Sequence, residues 1–244
     1  MAEYDSSQVA FFTVDGYSLL GWSAKLDDPG AKAVAVDRTP LGVSLERKSV
    51  LSLVEPVTIT QEGWFDNAAL ASHEALSAKR GTSQVLAYGV TGNVIGRDFV
   101  GAVAGQSQYD PVTSKGDLHR FNASWECTEH DRGLIVAHLA ARTAAGNTQA
   151  TSVDNAASSA GGAVLYLACT DLTLDGYTDL VVKVRHSTDN STYTDLGTFT
   201  ARTLIGAQRL VVAGTVNRYL AISWAYTDAG TDPSWTGLVG VRRL

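Results

Sequence analysis

Apolar and polar residues alternate with a period of two along most of the chain. In residues 119–127, for example, Phe121, Ala123 and Trp125 fall on one face and polar residues on the other, as in a half-buried strand. The same pattern recurs at residues 9–14, 50–54, 57–61, 85–91, 97–103, 134–142, 164–169, 180–187, 209–212, 219–226 and 237–241. About a dozen short strands separated by turn residues predict an all-β protein.

One segment departs from this pattern and predicts a single α-helix over about residues 67–79. It is rich in Ala and Leu and holds no β-branched residue. Asp66 is a suitable N-cap, Lys79 and Arg80 suit the carbonyl end, and Gly81 suits the position after it. We expect this helix to cover one sheet face or a barrel end.

Two stretches lack clear periodicity. Residues 25–45 contain Asp27-Asp28-Pro29-Gly30 and predict a long loop or an extended hairpin, which in a compact domain is usually functional. Residues 143–162 are mostly Ala, Ser, Thr, Asn and Gly, with Asp154 as their only charge. They predict a boundary between a domain of residues 1–145 and a domain of residues 150–244.

Charge and composition exclude several classes of protein. The net charge of the 244 residues is −6, and most of it lies before residue 145. That balance counts against a protein that binds nucleic-acid backbones through clustered Lys and Arg. No apolar run approaches the roughly 18 residues of a membrane helix, and the first residues lack the features of a secretion signal.

The cysteines and the densest polar cluster offer little chemistry. Cys127 and Cys169 lie far apart without a C-x-x-C motif and are interpreted as two buried free thiols. Residues 126–131, Glu-Cys-Thr-Glu-His-Asp, are interpreted as a solvated strand end entering a turn at Asp131-Arg132-Gly133. A metal site there is the alternative, but the other histidines lack the spacing that it needs.

Two further features have a structural and a functional interpretation. Asp189-Asn190-Ser191 predicts an Asx turn, with calcium binding as the alternative. Trp125, Trp224 and Trp235 predict core residues, with an aromatic platform for sugars as the alternative. Since nucleophile, phosphate-binding, zinc and dinucleotide motifs are absent, we expect no enzyme activity, no cofactor and no metal.

The order of features over about residues 9–142 resembles the major tail (tube) proteins of long non-contractile-tailed, siphovirus-like phages. An opening strand is followed by an irregular segment, and a further strand then runs directly into the helix. The residues that carry the resemblance are Val14-Asp15-Gly16, residues 57–66, His73-Glu74-Ala75-Leu76, Gly92-Asn93, Gly96, Gly116-Asp117-Leu118 and Arg132-Gly133-Leu134.

The second half is similar to the C-terminal β-sandwich, or jelly-roll, decoration domain appended to many phage tail proteins. The matching residues are Val153-Asp154-Asn155, Gly161-Gly162, residues 182–196 and Asn217-Arg218-Tyr219-Leu220. The two resemblances together imply a tail-tube β-sandwich or barrel domain followed by this second domain.

The resemblance implies a structural virion protein that self-assembles into stacked, hexameric rings, assembled in the host bacterial cytoplasm. DNA would pass through the tube without specific binding, and an acidic inner wall would repel its phosphates. The other partners would be the tape measure, distal tail and terminator proteins, with no membrane. By the same resemblance the candidate inter-ring contact loop contains Asp27, Asp28, Arg38, Glu46 and Arg47.

Two other functions stay open at this point. The chain could be a carbohydrate-binding or adhesion module that recognises a host glycan. It could also be another tail component, a distal tail or terminator protein, which would form one ring and no polymer. A hydrolase is the least favoured class, because no nucleophile has a base at a recognisable spacing.

Overall fold

The computed structural model describes residues 11–30, 33–37, 49–89, 92–113 and 115–244. It confirms the all-β fold with a single α-helix in the described part of the chain. The helix, α1, is Ser72–Ser77. The strands are β1 Phe12–Val14, β2 Tyr17–Ser18, β3 Ser23–Asp27, β4 Ala33–Asp37, β5 Ser49–Val54, β6 Thr58–Trp64, β7 Ser83–Gly89, β8 Asp98–Val112, β9 Arg120–Arg142, β10 Gly146–Asn147, β11 Val153–Asp154, β12 Ala163–Thr173, β13 Leu180–Ser187, β14 Thr194–Thr198, β15 Gly206–Val212, β16 Tyr219–Tyr226 and β17 Ser234–Arg243.

These strands form three antiparallel sheets. The largest has ten strands in the order β15-β12-β17-β9-β8-β7-β1-β2, with β6 added to β9 and β3 added to β6. A second sheet has the order β10-β16-β13-β14, with β11 on β16. The third consists of β4 and β5 alone.

The long strand β9 is the branch point of the largest sheet. Its first part pairs with β6, from Arg120 to Glu126, and its last part pairs with β17, from Leu134 to Arg142. The sheet therefore divides into two wings on one side of β9, while β8 runs along the other side. The sequence predicted two strands here, but β9 continues through Asp131-Arg132-Gly133 because β8 supplies ladder partners throughout that stretch.

The first hydrophobic core fills the space around the N-terminal strands. The rings of Phe12 and Trp125 meet edge to face at 6.2 Å, and both side chains are fully buried. Phe121, Ile59 and Leu76 complete the same cluster. Residues that alternate along β6 and the first part of β9 thus contribute to one apolar interior, as the period of two predicted, whereas consecutive residues of β7 enter it.

Strand β12 is buried on both faces and belongs to both cores. Tyr166 and its neighbours at even positions pack in the first core, where the Tyr166 and Phe99 rings lie 5.5 Å apart. Leu165 and the other odd positions pack in a second core with Val182 and Ile222 of the five-stranded sheet. The sheets are therefore layered, and the β12 layer lies in the middle.

The helix is shorter than the predicted range of about 67–79, and Asp66 is not its N-cap. Asp66 Oδ1 accepts the N–H of Ala68, and Trp22 Nε1 donates to Asp66 Oδ2 at 3.1 Å. These bonds hold residues 66–71 in a turn, and Leu70 has a φ of 61° that no α-helix contains. No helix among the described residues is long and apolar enough to cross a membrane.

The two stretches without periodicity are partly ordered into strands. Residues 25–45 contribute to β3, which pairs with β6, and to β4, which pairs with β5 beyond that range. The two strands do not pair with each other, so the choice between a long loop and an extended hairpin over these residues stays a prediction, and part of the stretch lies outside the described residues. Residues 143–162 contain β10, a short 3-10 turn and β11. The division into domains of residues 1–145 and 150–244 stays a prediction, since strands from both ranges share one sheet and both cores.

A fragment of residues 1–145 tests that division. We expect it not to unfold cooperatively, because it loses β12, β15 and β17 and exposes the core face that Tyr166 covers. Urea denaturation followed by tryptophan fluorescence measures this, and adding residues 146–244 should restore the transition of the intact chain. A sharp transition in the isolated fragment would instead show that the first range is an independent domain.

Candidate functional site

The five residues predicted for inter-ring contact divide into three groups. Arg38, Glu46 and Arg47 lie outside the described residues. Asp27 is the last residue of β3, and its side chain is exposed. Asp28 follows it directly, but only 4% of its side chain is exposed. Two adjacent aspartates therefore have different roles, and the buried one is held inside the fold.

Asp28 joins the end of β3 to the middle of the largest sheet. Its Oδ2 lies 2.8 Å from His130 Nε2 and also accepts the Tyr88 hydroxyl proton, while its Oδ1 accepts the N–H of Gly30 at 2.9 Å. Burial alone would raise the pKa of Asp28, but these hydrogen bonds stabilise the carboxylate and lower the pKa to about 2. The contact fixes the chain just before β4.

Asp131 makes an equivalent contact on the opposite face of β9, because successive residues of a strand point in opposite directions. Only 3% of its side chain is exposed. Tyr166 donates to Asp131 Oδ2 at 2.5 Å, Arg209 Nε donates to the same oxygen at 3.2 Å, and Arg242 Nη1 donates to Oδ1. Strands β12, β15 and β17 each supply one donor to a single carboxylate.

The charge states in this cluster follow from those contacts. Burial alone would raise the pKa of Asp131, yet the hydrogen bonds from Tyr166, Arg242 and Arg209 lower it. Burial, together with the Asp131 carboxylate, raises the pKa of Tyr166. The tyrosine therefore stays protonated as a donor, and the aspartate stays ionised at neutral pH.

This geometry corrects the interpretation of residues 126–131 as a solvated strand end. His130 and Asp131 lie in the interior of β9, in contact with residues far away in the sequence. Among the described residues, no group of three His, Cys, Asp or Glu side chains could hold a metal ion. The cluster joins layers of the protein, because two arginines and a tyrosine from three strands donate to one carboxylate.

The cysteine, tryptophan and Asx predictions have clear outcomes. Cys169 is buried and Cys127 half-buried, and burial raises their thiol pKa values to about 11 and about 12, so both are free thiols of low reactivity. Trp125, Trp224 and Trp235 are buried, which confirms them as core residues. Asp189 Oδ1 accepts the N–H groups of Ser191 and Thr192, both at 2.9 Å, which confirms the Asx turn.

The β4–β5 hairpin is the surface feature that sequence reasoning only partly anticipated. Among the described residues, β4 pairs with β5 and neither strand joins another sheet. Their sequences, Ala-Val-Ala-Val-Asp and Ser-Val-Leu-Ser-Leu-Val, are almost entirely apolar. An isolated two-stranded hairpin is marginally stable in water, and unpaired edges are templates for another strand. The alternation of Ala and Val over residues 33–36 was the sequence pattern that could have predicted β4.

A basic cleft lies beside the segment that follows Asp28. Pro29 and Gly30 line this cleft of about 490 Å³ together with His130, Arg132 and Arg242. Gly30 approaches Arg132 closely, since a Cβ on Gly30 would lie 3.4 Å from Arg132 Nη2. Residues 28–30, which precede the hairpin in the sequence, are therefore held by the Asp28 contact and lie against β9.

Comparison with known proteins gives similarity to solved structures but not to a known family or a curated sequence. No protein-family model matches the chain, and no curated protein sequence matches it. Among solved structures, the chain is similar to the SPP1 Dit (gp 19.1) protein, described as a paradigm of the hub adsorption apparatus in phages that infect Gram-positive bacteria. The identity is 9% and the TM-score 0.36, over 96% of this chain and 99% of that chain. A similarity of this degree identifies neither the family nor the function.

Asp28→Asn and Asp27→Asn form a matched pair that tests the contact at the end of β3. We expect Asp28→Asn to lower the free energy of unfolding by about 2 kcal/mol at neutral pH, and Asp27→Asn to change it by less than about 0.5 kcal/mol. Because the folded-state pKa of Asp28 is lowered to about 2, its contribution is present above about pH 4 and is lost as the pH falls from 4 to 2. Urea denaturation between pH 7 and pH 3 measures both effects. A difference that does not shrink with acidification would contradict the charge-based explanation.

Asp131→Ala tests the carboxylate that holds the layers together. We expect a loss of about 3 kcal/mol in the free energy of unfolding, because Tyr166, Arg209 and Arg242 lose their common acceptor. The exposed Asp98 at the start of β8 serves as control, and Asp98→Ala should be nearly neutral. Thermal and urea denaturation report the difference. Equal stabilities of the two variants would show that the Asp131 contact does not stabilise the fold.

Proposed function

We propose that this chain is a structural protein of a phage tail, and specifically the tail-tube subunit that assembles into stacked, hexameric rings through which DNA passes. The observation that carries the proposal is the isolated β4–β5 hairpin. Strand β4 lies within the segment in which the sequence resemblance places the contacts between rings, and β5 follows that segment. The base of the hairpin is fixed by Asp28, while its strands have no partner sheet among the described residues.

Assembly would supply the strand partner that the hairpin lacks among the described residues of a single copy. Two strands bury too little apolar surface to be stable alone, whereas a third strand or a packed face from a neighbour completes a sheet. The strands at the ends of the large sheet, β2 and β15, also each have one edge without a strand partner in the described structure. A closed ring of subunits removes such edges.

The charge distribution suits a conduit. The first 145 residues contain most of the negative charge of a chain whose total is −6. A wall with this balance repels phosphates and lets DNA slide, whereas a binding protein would need clustered Lys and Arg. In this proposal the protein acts through contact, without catalysis, cofactor or metal, and resides in the virion.

The partners follow from that role. Copies of the chain would be the main partners, and the tape measure, distal tail and terminator proteins would meet the tube at its lumen and ends. If the chain were an adhesion module, the expected partner would instead be a glycan receptor. If it were a distal tail protein, the expected assembly would be a single ring.

Electron microscopy of purified protein tests the proposal directly. We expect rings that stack into tubes at high protein concentration or with tail-initiation components. A variant in which a Gly-Ser linker replaces residues 33–54 should keep the circular dichroism of the intact protein but form no tubes. The matched control replaces residues 115–118, which are exposed between β8 and β9, with Asn-Gly and should still form tubes.

Three outcomes would contradict the tube assignment. Monomers under every condition would exclude self-assembly, single rings that never stack would indicate a distal tail or terminator protein, and glycan-array binding without tubes would indicate an adhesion module. Tubes formed by the variant without the hairpin would show that assembly does not depend on it.

A further inference from the structure

A polar groove crosses the outward face of the five-stranded sheet. Val182 of β13 and Ile222 of β16 pack in the second core, so the residues that alternate with them point away from that core. The groove has a volume of about 380 Å³, and its lining includes Lys183, Arg185, Asp195, Ser223 and Ala225. None of these side chains takes part in the Asp28 or Asp131 contacts.

The groove is a step between long and short side chains on neighbouring strands. Lys183 lies directly opposite Ser223, and Val181 lies opposite Ala225 in the β13–β16 ladder. Strands usually carry β-branched or aromatic residues, and the small residues of β16 leave space beside the long ones of β13. From Val181 to Arg185 the lining extends along β13 for about 13 Å. The groove is therefore longer than an inorganic anion and has room for about a dozen water molecules.

The two cations of the groove share one carboxylate. Lys183 Nζ donates to Asp195 Oδ2 at 2.7 Å, and Arg185 Nε lies 3.2 Å from Asp195 Oδ1. Arg185 Nη2 donates to the carbonyl oxygen of Tyr193 at 2.5 Å. The lining therefore carries two positive charges and one negative charge. This positive surface belongs to a chain whose net charge is −6.

Both cations keep unused hydrogen-bond donors. Arg185 Nε is close to Asp195 but is not aligned with its oxygen, so this buried atom has no hydrogen-bond partner among the described residues. Lys183 has three N–H groups, and its bond to Asp195 uses one of them. A surface ion pair alone contributes little to stability, whereas a buried donor without an acceptor is costly. An anionic oxygen that enters between Lys183 and Arg185 would supply the missing acceptors.

The lining favours an anionic sugar over a neutral sugar. A neutral sugar ring needs an exposed aromatic face for its apolar side, but Trp224 at the groove is only 7% exposed and packs against Trp235. The groove instead offers cationic donors, which suit a carboxylate or phosphate group. Asp195 and Ser223 are partners for the hydroxyl groups of a sugar.

We propose that this groove binds an anionic sugar unit. The carboxylate or phosphate group of the ligand lies between Lys183 and Arg185, and its hydroxyl groups bond to Asp195 and Ser223. Because charge-assisted hydrogen bonds hold the ligand on an open sheet face, its affinity is modest and falls as salt is added. The site is independent of the tail-tube proposal, since its sheet contains neither β4 nor β5.

Saturation-transfer difference NMR on the intact chain tests the ligand class, whether the chain is a single copy or assembled. Glucuronate and a glucose monophosphate present a sugar with a carboxylate or a phosphate, glucose presents the sugar alone, and inorganic phosphate serves as a competitor. We expect transfer to at least one anionic sugar and none to glucose, and the stronger ligand identifies the anionic group. Three results would overturn the proposal: no transfer to either anionic sugar, equal transfer to glucose, or complete displacement by an equal concentration of inorganic phosphate.

Lys183→Gln and Lys25→Gln form a matched pair that tests the location of the site. Both lysines are exposed strand residues paired with one carboxylate, Asp195 or Glu62, so both variants should keep the circular dichroism of the intact chain. We expect Lys183→Gln to weaken binding of the anionic sugar at least about tenfold, because a charged donor is lost, and Lys25→Gln to bind normally. Ala225→Phe, at an exposed position of β16, keeps every charge and should block the groove. Unchanged binding by Lys183→Gln or by Ala225→Phe would overturn the assignment of the ligand to this groove.

Discussion

The buried carboxylate of Asp131 is the constraint on which the layered arrangement depends. A carboxylate away from water is costly unless its oxygens are occupied, and here donors from β12, β15 and β17 occupy them. Those three strands meet the N-terminal strands at β9. The packing around the cluster has its own requirement: Gly101 lies under the Tyr166 ring, where a Cβ would approach ring atoms at 2.8 Å. The absence of a side chain at Gly101 lets the tyrosine reach Asp131.

His130 gives the same strand a second contact on its other face. One residue before Asp131, it holds Asp28 and so fixes the point from which the β4–β5 hairpin leaves the body of the protein. Both contacts depend on β9 running straight through residues 130–132, which the continuous pairing with β8 ensures. The position of Asp28 relative to the large sheet is therefore set by His130 of β9 and Tyr88 of β7.

These contacts explain why the fold was predictable from the sequence and the site was not. A period of two in hydrophobicity can be read from residues that are adjacent in the sequence. Strands β13 and β16 were therefore predicted with their observed bounds, Leu180–Ser187 and Tyr219–Tyr226. Asp27 and Asp28 are equivalent by sequence, and only the distant Tyr88 and His130 distinguish them. Asp66 likewise suited a helix cap by its sequence position. In the structure its carboxylate instead accepts a hydrogen bond from Trp22, and the positive φ of Leu70 places a turn before the helix.

The fixed base of the hairpin also bears on how the proposed assembly works. A two-stranded sheet has little stability alone, so ordering it against a neighbour costs conformational entropy. Asp28 reduces that cost, because the segment that leads into β4 is already held by hydrogen bonds to two strands of the body. The segment that leads to the hairpin is thus pre-organised by bonds within one copy, while repulsion between acidic chains opposes association elsewhere on the surface.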